Sequence, residues 1–220
     1  MTKDQVRKVI EDVGIIPAIR TATEEDALFA GATIANAGIP IVELTLTVPG
    51  ALDAIRRLRT SFPDIVVGAG TVLDMRTAKQ CVDAGALFLT SPGLITEIVE
   101  YATAADIVSM PGALTPTELM RAHYAGANYV KIFPCAQFGG PSYIRALKRP
   151  FPDSKLIASG GVNQQTASEF ILAGATAVGI GEDLIPWRAV RERKTDWIHE
   201  LARRFLSKVK DARAMRETYY

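Results

Sequence analysis

The chain has 220 residues, 48% of them hydrophobic, with 25 basic and 24 acidic side chains and a net charge of +1. That length supports one large core. The near-zero charge excludes the strong field that draws a protein to nucleic acid or to an anionic membrane.

No apolar run reaches the roughly 18 residues that a membrane span needs. The charged start, MTKDQVRKVIEDVG, is unlike a secretory leader. Cys81 and Cys135 stand far apart in no metal-like spacing. They read as free thiols of a reducing, cytoplasmic protein. The two histidines, His123 and His199, cannot build a metal centre without carboxylates. No metal and no cofactor is expected. No Gly/Ser/Pro-rich linker interrupts residues 1–220, which read as a single domain.

In chain order, TKDQVRKVIEDV reads as an N-terminal helix that precedes the first strand, IIPAIR (15–20). TEEDALFAGATIANAG then carries acidic residues in its first turn and Gly38 at its end, which suits the helix dipole and a left-handed C-cap. Strands follow at IPIVELTL (39–46), IVVGAG (65–70), ALFLTS (86–91), DIVSM (106–110), NYVKIF (128–133), KLIAS (155–159) and AVGIG (177–181). They are short and several are apolar throughout, as in parallel strands covered on both faces. DMRTAKQCVDAG, TPTELMRAHYAG and NQQTASEFILAG end in Ala-Gly like the first of these helices, at Gly85, Gly126 and Gly174. The last helix, TDWIHELARRFLSKVK, sets Trp197, Leu201, Phe205 and Val209 on one face, a core stripe.

Strands alternating with helices over this length predict an α/β fold, a (β/α)8 TIM barrel with an extra N-terminal helix. An open doubly wound sheet would carry a Gly-rich dinucleotide loop after its first strand, and none follows IIPAIR.

A barrel of this kind places its chemistry at the C-terminal strand ends. Polar and glycine residues gather there: Arg20; Glu43, Thr45 and Thr47, of one parity; Thr71; Ser91-Pro92; Lys131; Ser159-Gly160-Gly161; and Gly181-Glu182. Glycine loops after the last two strands suit an anion. Lys131, in YVKIFPCAQFGG, is a lone cation in an apolar strand. It sits opposite Glu43 if the barrel closes. A buried ion pair and a simple anion anchor are open readings; buried pairs rarely stabilise once desolvation is counted. The sharper one is a Schiff-base lysine. Apolar surroundings disfavour an ammonium group, and a carboxylate beside the amine can shuttle protons during imine formation and C–C cleavage. Cys135 reads as a small buried filler, His123 as a surface residue, and RRLR and RERK as solvated helix faces.

The ordered set VELTLTVPGA, GAGTVL, SPG, PGALTPTE, VKIFPC, SGGV and GIGEDLIP resembles the 2-keto-3-deoxy-6-phosphogluconate (KDPG)/4-hydroxy-2-oxoglutarate (KHG) aldolases, from about Ile15 to Pro186. The resemblance implies a metal-independent class I aldolase, usually a homotrimer. Its substrate would be a small 2-keto acid, most simply 2-keto-3-deoxy-6-phosphogluconate, cut to pyruvate and glyceraldehyde 3-phosphate; 4-hydroxy-2-oxoglutarate or an unphosphorylated 2-keto-3-deoxy acid is the alternative. It makes Lys131 the Schiff-base residue and Glu43 the general acid/base. Thr71 would help hold the carboxylate, Pro92 and Phe133 would wall the pocket, and Gly160 and Gly161 would offer N–H groups to phosphate.

Three positions depart from the family pattern. Thr47 stands where many members carry a carboxylate-gripping arginine, which makes Arg20 the candidate replacement. Ser159 stands where members often have threonine. Glu182 follows Gly181 where members often have a phosphate-binding serine. A carboxylate 4 Å from phosphate costs about 4 kcal/mol per unit charge at an effective dielectric of 20. Rival readings are a phosphate-binding isomerase or synthase that uses Lys131 only as a cation, and a silent barrel that binds sugar acids without cutting them.

Overall fold

Among the described residues, alternation of short buried runs with amphipathic stretches yields nine parallel strand segments wrapped by ten α-helices. A computed structural model describes residues 1–219. The strands are β1 (Ile15–Ile19), β2 (Ile41–Thr45), β3 (Val66–Gly70), β4 (Phe88–Thr90), β5 (Val108–Met110), β6 (Gly112–Ala113), β7 (Val130–Ile132), β8 (Leu156–Ser159) and β9 (Ala177–Ile180). The helices are α1 (Lys3–Val13), α2 (Glu24–Asn36), α3 (Ala51–Ser61), α4 (Met75–Asp83), α5 (Thr96–Ala104), α6 (Pro116–Tyr124), α7 (Gly140–Lys148), α8 (Ala167–Leu172), α9 (Trp187–Arg191) and α10 (Thr195–Tyr219).

The sheet runs β5-β4-β3-β2-β1-β9-β8-β7-β6. Its two ends, β5 and β6, are consecutive in the chain and parted only by Pro111. The sheet is therefore a nearly closed barrel. Tyr129 donates its N–H to the Ser109 carbonyl at 3.2 Å, and Lys131 to the Pro111 carbonyl at 2.9 Å, across the seam. Eight strands were expected. The ninth segment exists because Pro111, which lacks an N–H, divides one strand into a piece paired with β4 and a piece paired with β7. The eight expected strands lie within two residues of their predicted bounds.

The helix ends follow the predicted chemistry. Gly38, Gly85, Gly126 and Gly174 all adopt positive φ, between 88° and 106°. After each, the next N–H reaches back to a carbonyl five residues earlier, as Ile39 does to Ile34. That is the Schellman arrangement, and it turns each helix into the following strand. At α10 the core stripe differs from expectation. Leu201, Phe205 and Val209 are buried, with Ile198 and Ala202 beside them, while Trp197 is 43% exposed. Residues 198, 201, 202, 205 and 209 make one continuous apolar face at helical spacing. Trp197 lies at its edge.

α1 buries Val6 and Ile10. Its Glu11 accepts hydrogen bonds from Tyr129 and Lys155, which precede β7 and β8. The helix thus lies at the N-terminal ends of the strands. The opposite end of the barrel is left to the loops.

Candidate active site

Register places the site. Glu43 pairs with Ala18 of β1 and Gly68 of β3, and Lys131 pairs with Gly112 and with Ile157 of β8. Four steps separate β2 from β7 around the sheet through β1, β9 and β8. The two side chains therefore meet from opposite walls. Lys131 Nζ lies 3.8 Å from Glu43 Oε1, with the side chains 13% and 5% exposed. That separation is too long for a hydrogen bond. Lys131 Nζ also lies 5.5 Å from the centroid of the Phe133 ring, over an apolar face.

Glycines make room for the side chains of this wall. A methyl group at Gly70 would collide with the Glu43 carboxylate. One at Gly179 would come within 2.8 Å of Ser159 Oγ. Next to Gly70, Thr71 adopts φ 62°, a left-handed conformation that a β-branched residue rarely takes. Strain of this kind gathers at functional sites.

Above the pair opens a cavity of about 410 Å³. Arg20, Glu43, Thr71, Pro92, Lys131, Phe133, Ser159, Gly160, Gly161, Gly181 and Glu182 all line it. Thr47 does not. The strand ends at Thr45, so the parity that put Thr47 beside Glu43 stops two residues short of it. Thr47 sits exposed in the following turn, its hydroxyl 2.9 Å from that of Thr45, which in turn donates to the Ile19 carbonyl at 3.0 Å. Arg20 lies just past β1, exposed, and its side chain makes no ion pair or hydrogen bond among the described residues.

Residues 6–201 match the family described as "KDPG and KHG aldolase". The chain belongs to the KDPG and KHG aldolase family. It is 31% identical over 211 residues to the 2-dehydro-3-deoxy-phosphogluconate aldolase of Pseudomonas aeruginosa, covering 95% of each chain. The solved KDPG aldolase of Legionella pneumophila, with pyruvate captured as a covalent carbinolamine intermediate, superposes with a TM-score of 0.83 at 32% identity, covering 90% of this chain and 96% of that one. A chain of a designed cube-shaped cage, made by fusing symmetric oligomeric domains, matches with a TM-score of 0.85 at 30% identity, over 94% of this chain and 75% of that one.

In this member of the family, sequence reading missed part of the wall. Asp183, Ile185 and Trp187 line the cavity beside Glu182, and Ala18, Val162 and Gly179 complete its lining. Asp183 had a visible signal, a second carboxylate directly after Gly181-Glu182. Although Asp183 is exposed, partial burial and the charge of Glu182 raise its carboxyl from the ordinary aspartate value. Trp187 had none, because its place depends on how the loop after β9 folds back. Cys135 is buried and its thiol is pushed up to about 12 by burial, as suits a packing residue. His123 is exposed on α6. Among the described residues no group of three or more His, Cys, Asp or Glu side chains could hold a metal ion. No helix among them is long and apolar enough to cross a membrane.

Proposed function

We propose that this chain is a class I aldolase that splits a 2-keto-3-deoxy sugar acid into pyruvate and an aldehyde, through an imine on Lys131. One observation carries the reading. A lysine and a glutamate face each other at 3.8 Å inside a cavity, close enough to share a proton through substrate or water and too far apart to neutralise each other by contact.

The chemistry balances on these two groups. The Lys131 nitrogen pair attacks the C2 carbonyl to give a carbinolamine, which loses water to form a protonated imine. The C3–C4 bond then breaks. Its electron pair moves into the imine as an enamine, and the proton of the C4 hydroxyl passes to Glu43. The aldehyde leaves. The enamine takes a proton at C3, and water releases pyruvate. Thr71 and Arg20 hold the substrate carboxylate, and the exposed position of Thr47 favours Arg20 for this task. Pro92 and Phe133 wall the reacting carbons. Gly160, Gly161 and Gly181, with Ser159 and Glu182, surround the far end of the substrate.

Relatives named for 2-dehydro-3-deoxy-phosphogluconate support the phosphorylated acid as the reference substrate, with glyceraldehyde 3-phosphate as its aldehyde. 4-Hydroxy-2-oxoglutarate shares the same pyruvyl half. Residues 1–220 act as one domain that needs no metal or cofactor. The likeness to a chain of a cage made by fusing symmetric oligomeric domains supports oligomeric assembly, for which the family resemblance implies a homotrimer, and two free buried cysteines suit a cytoplasmic protein.

Borohydride reduction in the presence of pyruvate tests the mechanism. A stable adduct on Lys131, found by peptide mass spectrometry, is the expected result. Pyruvate release from a 2-keto-3-deoxy acid without any such adduct would assign Lys131 the role of a cation instead.

A further inference from the structure

The cavity is charged unevenly. Its cations are Lys131 and Arg20; its outer wall, on the loop after β9, carries Glu182 and Asp183 side by side. Imine formation occupies Lys131. Arg20 follows β1, which pairs with β9 through Pro17 and Ile180, so among the described residues of the cavity lining it is the cation on the strand end next to the two carboxylates. Both carboxylates are exposed, and once Arg20 holds the substrate carboxylate no cationic side chain of the cavity lining is left to balance them. Neither Glu182 nor Asp183 has an ion-pair partner within 4.0 Å among the described residues. Partial burial and then the neighbouring charge of Glu182 raise the Asp183 carboxyl.

The donors and acceptors at this end suit hydroxyl groups. N–H groups of the Gly160–Gly161 loop can donate to a hydroxyl or to a phosphate oxygen. Ionised carboxylates only accept, so they can bond a hydroxyl and can only repel a phosphate dianion. Trp187, 60% exposed, completes the same wall and offers an apolar face to the C–H groups of a hydroxylated chain.

We infer that the outer half of the cavity is a subsite for a neutral, hydroxyl-bearing tail, so that this chain prefers an unphosphorylated 2-keto-3-deoxy sugar acid over its 6-phosphate. Glu182 and Asp183 are the specificity-determining residues. The inference rests on the aldolase reading above, keeps its chemistry, and replaces its phosphorylated reference substrate with the unphosphorylated acid.

The test measures kcat/KM for 2-keto-3-deoxygluconate and for its 6-phosphate, by coupled detection of pyruvate, in the wild type and in a double variant, Glu182→Ser with Asp183→Asn. The wild type should favour the unphosphorylated acid by at least tenfold. The double variant should gain at least tenfold on the phosphorylated acid relative to the other, mainly through KM. A wild type that favours the 6-phosphate, or a double variant that changes both substrates equally, overturns the inference while leaving the aldolase intact. The wild-type ratio decides the matter alone if the variant does not fold. Absence of pyruvate from both acids, with no borohydride adduct, would instead bring down the aldolase reading and this inference with it.

Discussion

Two lysine–glutamate pairs sit at opposite ends of this barrel. At the N-terminal end, Lys155 Nζ donates to Glu11 Oε1 at 2.6 Å, and the Tyr129 hydroxyl donates to the same oxygen at 2.7 Å. At the C-terminal end, Lys131 and Glu43 stand 3.8 Å apart and are far more buried. The partly exposed pair is in hydrogen-bonding contact; the buried pair makes no direct hydrogen bond. Desolvating two charges is costly unless close contact and further hydrogen bonds offset it. A fold selected for stability alone would arrange its two pairs the other way round. The gap at the rim is the room a substrate needs, and the contact at the base joins α1 to the barrel.

The strongest way to break this contrast is to remove the lysine from each pair. Lys131→Met should abolish pyruvate release and borohydride trapping while leaving a cooperatively folded protein, because it takes an incompletely paired charge out of the interior. Lys155→Met should keep kcat within about twofold of wild type. It should lower stability by no more than about 1 kcal/mol, the range of partly exposed pairs. Steady-state kinetics and thermal melts decide the matter. Equal loss of activity in both variants would show that the ends are not functionally distinct.

Next in size is the glutamate and the glycine that gives it room. Glu43→Gln should cut kcat by about 10²–10⁴, the usual worth of a positioned acid/base. Gly70→Ala should cost about 10², because its methyl drives the carboxylate from its place. The two changes act on one group. Gly70→Ala should therefore add little in a Glu43→Gln background. Full additivity would mean that Gly70 acts on something other than the carboxylate.

How much of this contrast the sequence carried follows from local rules. The strands were legible because each is a short apolar run closed by polar or glycine residues, and the helix ends because Ala-Gly recurs before a strand. The inner wall was legible because Glu43 and Lys131 break apolar strands. Thr47 was not, since period-two alternation holds only while the strand lasts and β2 ends at Thr45. β6 escaped because Gly112-Ala113 is too short to show any period. Trp197 fell on the wrong side because an apolar helix pattern admits two neighbouring phases, and only packing chooses Ile198. The base pair was invisible: Glu11 and Lys155 are separated by 144 residues, and nothing local links them.

That base pair yields the smallest effect and the one that most sharpens the contrast. Burial alone would raise the Glu11 carboxyl, but the hydrogen bonds from Lys155 and Tyr129 outweigh it and hold the group below its ordinary value of 4.5. A carboxyl whose value is lower in the folded state stabilises the fold above its unfolded value, and the contribution disappears as pH falls through the folded one. Glu11 therefore stabilises at neutral pH and stops doing so in acid. The partly exposed setting limits the effect to about 1 kcal/mol. Urea denaturation of wild type and Glu11→Gln at pH 7 and again near pH 3.5 should show a stability difference that shrinks towards acid, with kcat at pH 7 unchanged by the variant. A difference independent of pH would mean that Glu11 acts by shape, as a hydrogen-bond acceptor for Tyr129, and not by charge.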